Sequence, residues 1–389
     1  MDCEGVPMNQ ISHPHRALWA ARCVYFTSGF ALSTWAPMIP YVKEKLSLDP
    51  ETLGLMLLCL GLSAFVCMPF NTVFIRKLGC RGALRLSMSM LIIDLLLLPI
   101  LPSLPFYVAA LLFFGMAFGI TDVSMNLNAM VLEKGLGRRI MSQVNACYSI
   151  GCLAGAGVFS VLAGLGLAVH HISWLHDGLI VCILLFTSSH LLPFKGAEEK
   201  KQSLFSMPRG MVFFLGCMAF ITYLAEGAVM DWSGVILTAE KGAAFSEASL
   251  GYAFFSAAML VMRLLGDRLI SWMGETKGIV VGSLIGAIGF AGVNFVSSVS
   301  ASLFFFVLLG IGAANIVPAL CSLLARQNDM PLDQSVTAFN SMGYSGVLVG
   351  PAFLGFTGQH LGLPAIFVLM AGLFAVQAVG AFWKLGVRK

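Results

Sequence analysis

Among the acidic residues inside long apolar stretches of this 389-residue chain, four stand out: Asp94, Asp122, Glu226 and Asp231. An ionisable side chain in hydrocarbon costs about 2.5–3.5 kcal/mol on insertion scales, so it faces a cavity or a partner. A carboxylate in such a place can take up a proton on one side and release it on the other. Asp122, Asn126 and Glu133 are spaced four and seven apart and share one helix face. Asp122 and Asn126 are placed to line a cavity, with Glu133 nearer the helix end. Glu226 and Asp231 are five apart, about 140° around a helix of 3.6 residues per turn, and point different ways. Glu226 is the deeper group and Asp231 is expected at an outer mouth. Asn145 with Tyr148, and Asn340 with Tyr344, are three and four apart and also share faces. Asn315 stands 193 residues after Asp122, in the corresponding place of the second half. Such amides and phenols orient a polar solute, or bond helix to helix. Trp35 and Trp232 offer flat rings as a binding platform or as an interfacial belt. Asp94 is as readily a structural acid.

Bond-making chemistry finds no support. No nucleophile–base pair is evident, so no enzyme is expected, and no cofactor. Most of the ten cysteines lie inside apolar runs and read as small buried hydrophobes. No C-x-x-C pair or Cys/His cluster has metal spacing, so no metal is expected. His170, His171 and His176 read as neighbours in one solvated loop.

The elements that carry these residues are dictated by composition. Hydrophobic residues make up 58% of the chain and charged ones 11%, with mean hydropathy +0.88. A soluble domain carries about 25% charge, so lipid must be the solvent here. A net charge of +4 is too small to suggest nucleic acid. The first 16 residues lack the basic-then-apolar order of a cleaved signal. Apolar runs of membrane-spanning length fall at 17–40, 52–74, 83–101, 104–131, 142–167, 176–194, 210–237, 248–271, 278–297, 300–325, 335–359 and 364–386. An all-α membrane protein of twelve transmembrane helices is the expectation. The charged break at 195–209 makes a linker between an N-terminal six-helix bundle, 1–194, and a C-terminal one, 210–389.

The halves look like copies. Trp35 and Trp232, and Gly54 and Gly251, are both offset by 197; Gly79 and Gly274 by 195; Gly155 and Gly350 by 195. Parallel half-repeats related by an axis along the membrane normal are one transporter arrangement. Basic residues in short loops set the topology. With a cytoplasmic N-terminus, 20 of the 23 Lys and Arg fall inside, leaving Lys43, Lys45 and Lys241 outside. Both termini are therefore expected in the cytoplasm.

The segment after the second span reads Arg76-Lys77-Leu78-Gly79-Cys80-Arg81, and its counterpart reads Arg263-Leu264-Leu265-Gly266-Asp267-Arg268-Leu269. These loops resemble the major facilitator superfamily motif G-x-x-x-D-R-x-G-R-[KR]. Arg76 stands where the family has an acid, and Thr72 where it has its first glycine; the second copy keeps Asp267-Arg268. Such basic loops carry topology charge, or close a cytoplasmic gate through ion pairs at Arg76, Lys77, Arg81, Arg263, Asp267 and Arg268. Glu226-Gly-Ala-Val-Met-Asp231-Trp232-Ser233, Asp122-Val-Ser-Met-Asn126 and Tyr148-Ser-Ile-Gly-Cys-Leu-Ala-Gly155-Ala-Gly157 resemble a bacterial inner-membrane subgroup of the YbjJ type. A looser likeness to fucose-permease-like sugar carriers adds a sugar-like solute as one option. The resemblance implies the fold and a transport role in the bacterial inner membrane. With the buried acids as proton carriers, the expectation is a secondary active transporter that moves a small organic solute by alternating access with a proton as partner, working as a monomer. A facilitative uniporter, or a non-transporting receptor or scaffold, are the alternatives.

Overall fold

A computed structural model of the chain describes residues 14–67, 71–137, 140–194, 207–324, 326–330 and 332–386. Within them every regular element is helical. The linker stretch 195–206, the basic residues Arg138, Arg139, Lys195, Lys200 and Lys201, and the side chain of Asp267 lie outside this description.

The helices are α1 (Pro14–Trp35), α2 (Met38–Lys45), α3 (Pro50–Cys67), α4 (Asn71–Leu97), α5 (Leu104–Leu136), α6 (Met141–Gly164), α7 (Val169–Thr187), α8 (Gly210–Lys241), α9 (Leu250–Met273), α10 (Glu275–Phe295), α11 (Val299–Ala313), α12 (Ile316–Leu324), α13 (Leu332–Leu361) and α14 (Leu363–Gly386). Ten stretches of the described residues are long and apolar enough to cross a membrane. The α1–α2 pair and α13 are also of spanning length and complete twelve. In hydrocarbon each backbone N–H and C=O must be satisfied within its own segment, which is why an apolar chain of this kind becomes helix throughout.

Two compact units emerge: Met1–Leu46 with Cys59–Lys200, and Ser47–Leu58 with Lys201–Lys389. Each has the same internal seams. In the first unit α1 lies against α6, where Gly151 meets the Phe26 carbonyl. In the second, α8 lies against α13, where Gly346 meets the Phe220 carbonyl. Gly115 on α5 meets Leu60 of α3, and Gly310 on α11 meets Phe255 of α9. Each pair repeats at an offset of 194 or 195. Lipid tails are as apolar as leucine, so helices associate in a membrane by close packing, and small residues permit it. Two helix starts give N–H groups to acids: Glu133 accepts those of Ile140 and Met141 at 2.6 and 3.0 Å, and Asp329 accepts that of Met211 at 2.5 Å.

Several boundaries differ from the sequence expectation. The loops expected at 75–82 and 272–277 shrink to single glycines. Gly79 (φ 70, ψ 165) and Gly274 (φ 79, ψ 157) hold a backbone region that is essentially glycine-only. Helix continues through the charged residues up to those glycines, because lysine and arginine stems run along apolar surface while their heads reach water. Arg263, Asp267 and Arg268 accordingly belong to α9 and not to a loop. The first span breaks at Ala36–Pro37, and the tenth between Ala313 and Ile316. The three histidines do not share a loop. α7 begins at Val169, so His170 and His171 occupy its first turn while His176 is buried at 2% exposure.

Candidate functional site

Each unit holds a cluster of polar side chains, built from residues distant in sequence, around a sequence-expected acid. In the first, Tyr25 of α1 is fully buried and donates its hydroxyl to Asn126 Oδ1 at 2.7 Å. Asn126 Nδ2 donates to the Asp122 carbonyl at 2.9 Å and to Asp122 Oδ1 at 3.3 Å. The phenol therefore fixes the amide, and the amide fixes the carboxylate. Asp122 and Asn126 are half-buried on one face of α5. Three residues before Tyr25, Arg22 donates to Gln143 at 2.7 Å and ties α1 to α6. On α6, Asn145 is exposed and turns its amide back to the Met141 carbonyl at 2.9 Å, while Tyr148 is half-buried.

In the second unit, Glu226 stands near the middle of α8 and meets Arg263 of α9, Oε1 to Nη2, at 3.6 Å. Their side chains are 24% and 42% exposed, so the pair is neither fully solvated nor sealed. At 3.6 Å this is an ion pair without a close hydrogen bond. One turn before Glu226, Tyr223 stacks on Tyr344 of α13, with ring centroids 5.9 Å apart and planes within 8°. The absent side chain of Gly343 makes room for the Tyr223 ring, since a Cβ there would lie 2.6 Å from Cε2. Asn315, in the break between α11 and α12, donates to the Met262 carbonyl at 3.0 Å. Its Oδ1 fills the place where a side chain on Gly266 would stand. Asn315 thereby wedges the α9 backbone on either side of Arg263. Asn340 is exposed, one turn before Tyr344.

Other candidates are placed differently. Trp35 and Trp232 are 1% and 0% exposed, and neither indole N–H has a hydrogen-bond partner. They are core side chains, not open platforms or belt residues, because each lies on the packed face of its helix. Asp231 is buried at 5% exposure and not at a mouth. The expected gate pairs are absent from the described ion pairs. Arg76, Lys77 and Arg268 are exposed. Arg81 donates Nε to the Leu191 carbonyl at 2.7 Å, and beside it the Cys80 N–H donates to Phe194 O at 2.7 Å. These bonds tie the Gly79 turn to the segment that follows α7. Arg263 leaves the gate set and becomes the partner of Glu226. The basic-end ion pair of the second unit is instead Arg326–Glu275, at 2.6 Å.

Tyr25, Tyr223 and Gln143 were not singled out by sequence. Tyr25 lies 101 residues from Asn126, and no local spacing signals that contact. Among the described residues no group of three His, Cys, Asp or Glu is placed to hold a metal. The two clusters offer carboxylates, a guanidinium, phenols and amides: groups that bind, orient and exchange protons.

The family model described as "Major Facilitator Superfamily" matches residues 6–156 and 215–389. An uncharacterized MFS-type transporter of Yersinia pestis is 38% identical over 362 residues, covering 93% of this chain and 94% of that protein. Membrane protein MosC of Rhizobium meliloti is 30% identical over 378 residues, 96% and 92% of the two chains. Among solved structures, a mutant of the nucleoside transporter NupG superposes with a TM-score of 0.79 at 13% identity, covering 96% of this chain and all of that one. A POT family transporter in complex with 5-aminolevulinic acid gives 0.76 at 13%, over 99% of each chain. At such identities these likenesses establish the fold alone.

Proposed function

Since the chain belongs to the Major Facilitator Superfamily, we propose that it is a secondary active transporter that moves a small organic solute by alternating access and couples that movement to protons. The observation that carries this reading is the Glu226–Arg263 pair, half-open and loosely held at 3.6 Å. With Glu226 ionised, the carboxylate occupies Arg263. A proton on Glu226 removes that charge and frees the guanidinium for an anionic or hydrogen-bond-accepting group of the solute. Loss of the proton restores the pair and expels the solute. The Tyr223–Tyr344 stack supplies a flat wall next to this pair for an apolar or ring portion. Asp122, oriented by Asn126 and Tyr25, is the corresponding titratable group of the first unit. Asn145, Tyr148, Asn315, Asn340 and Asp231 stand in supporting places.

The working parts in this reading are the six-helix bundles 1–194 and 210–389, joined by the linker 195–209. The setting is a bacterial inner membrane with both termini in the cytoplasm, supported by 20 of the 23 basic residues falling on that side. The protein acts as a monomer.

Uptake into proteoliposomes tests the proposal. The panel is nucleosides, organic anions, sugars and 5-aminolevulinic acid, offered with and without a pH gradient. The first and fourth classes are those named for the structural neighbours above. Asp122→Asn or Glu226→Gln keeps the shape and removes the titration. Either change is expected to abolish gradient-driven accumulation while solute counterflow survives. If both variants still concentrate solute, coupling through these residues is refuted. Equal wild-type uptake with and without the gradient would make the protein a uniporter.

A further inference from the structure

A third group of ionisable side chains in the first unit is not used by the solute reading. Asp94, near the end of α4, is 2% exposed, and Asp177 of α7 is 4% exposed. Asp94 Oδ2 and both carboxyl oxygens of Asp177 have no hydrogen-bond partner. Neither residue belongs to any of the ion pairs among the described residues.

Two hydrogen bonds bring the helices together at this level. Ser173 of α7 donates to the Leu95 carbonyl at 2.7 Å, and Trp174 Nε1 to the Leu96 carbonyl at 3.1 Å. Asp177 lies one helical turn beyond Ser173 on the same face, and Asp94 adjoins Leu95. The α4 and α7 stretches that carry the two buried carboxyls are thus packed on each other at this level. Beside them His176 is 2% exposed. Its Nδ1 is 2.8 Å from Thr34 Oγ1. Thr34 gives its only hydroxyl proton to the Phe30 carbonyl at 2.7 Å, so Nδ1 donates and Nε2, buried and unpartnered, is the free ring nitrogen.

Two ionised carboxylates cannot stay side by side here. Each unpaired charge removed from water costs several kcal/mol, and like charges in a low dielectric add to that cost. One proton between them replaces a charge by a strong O–H···O⁻ hydrogen bond. The other titratable groups that the neighbouring elements carry at this end are His170, His171 and His176 of α7, Tyr41, Lys43, Glu44 and Lys45 of α2, and Tyr107 of α5. Lys45 gives its ammonium to the carbonyls of Pro99 and Leu101. The Tyr107 hydroxyl is buried without a partner. α6 carries no charged residue.

We propose that Asp94 and Asp177 form a proton-binding site between α4 and α7, separate from the Asp122 and Glu226 clusters, in which the two carboxyls take up one proton and share it. Proton occupancy there sets the packing of α4 on α7. The protein therefore keeps a response to pH when the proposed coupling acids are gone.

The test is infrared difference spectroscopy of purified protein at neutral pH, in an Asp122→Asn/Glu226→Gln background that leaves the new pair untouched. A protonated carboxyl has a C=O stretch that carboxylates and amides lack. That band is expected in the background protein and is expected to fall when Asp94→Asn or Asp177→Asn is added. Asparagine is isosteric, and either variant suffices if the other fails to fold. A background protein with no band that either change removes overturns the proposal. Loss of the band on adding NaCl at fixed pH would assign the pair to Na⁺ and overturn it as a proton site. Because the coupling acids are already amides, a failed transport assay on those residues leaves this result unaffected.

Discussion

Replacing Gly151 by alanine tests the claim that glycine seams hold each unit together. A Cβ at Gly151 would lie 2.9 Å from the Phe26 carbonyl carbon and 3.0 Å from the Phe30 nitrogen, and closer still to the Phe26 oxygen. Ordinary contact begins at 3.4 Å. The α1 backbone must therefore retreat by well over 0.5 Å, since the Phe26 oxygen is closer than the carbon, and its groups cannot rotate away as a side chain would. A gap of about 0.5–1 Å forfeits a quarter to a half of the dispersion well along the seam. Overpacking of this kind costs about 1–3 kcal/mol, against a helix-propensity gain of about 1 kcal/mol for Gly→Ala. Gly157, six residues along the same helix, has nothing within 4 Å of its Cβ position. There the propensity gain stands alone, about 0.5–1 kcal/mol of stabilisation. The two variants should thus move in opposite directions. The propensity gain is common to both, so the packing cost of about 1–3 kcal/mol separates them; with about 2–4 °C per kcal/mol for a unit of 150–250 residues, the expected separation is roughly 2–12 °C. Size-exclusion recovery of detergent-solubilised protein after heating reads the difference. A Gly151→Ala variant that melts at or above Gly157→Ala refutes the packing argument.

Tyr25→Phe removes the donor that fixes Asn126 and should cost about 1 kcal/mol in thermal stability. If the phenol also orients Asp122, gradient-driven uptake falls while counterflow is retained; unchanged uptake would deny Tyr25 that role. Asp49, before α3, accepts the Thr52 N–H at 2.8 Å and the Thr52 hydroxyl at 3.0 Å. The N–H bond above all holds its carboxyl below the usual carboxylate range. A lowered folded-state value gives stabilisation that is present above the unfolded value, about pH 4, and lost as pH falls through the folded one. Amide exchange in the first turn of α3 should therefore accelerate at acid pH in wild type more than in Asp49→Asn; identical acid profiles would refute the cap. Cysteines introduced at 196–202 should be labelled only from the cytoplasmic side, and labelling from the outer face would overturn the assigned orientation.

Sequence by itself determined the solvent, the helical class, the number of spans and the duplication. These are properties of composition and of spacing along one chain. Gly79 and Gly274 were paired by their offset alone, and they turn out to adopt the same glycine-only backbone. Of the glycines on α6, Gly151 and Gly155 meet α1 while Gly157 meets nothing, since which face of α6 packs depends on where α1 lies. Charge misled at the helix ends. Arg263, Asp267 and Arg268 interrupt the hydropathy of the eighth span, yet backbone hydrogen bonding carries the helix past them to Gly274. His176 looked like its solvated neighbours His170 and His171 until one and a half turns of helix separated them. What only the tertiary structure decided is partnership. Tyr25 reaches Asn126 across 101 residues, Glu226 finds Arg263 on the next helix, and Ser173 and Trp174 tie α7 to the α4 carbonyls of Leu95 and Leu96. Hydropathy records how much each segment prefers lipid to water, a sum over side chains. A polar contact between helices depends on the rotation and depth of both, which packing of the surrounding small residues sets.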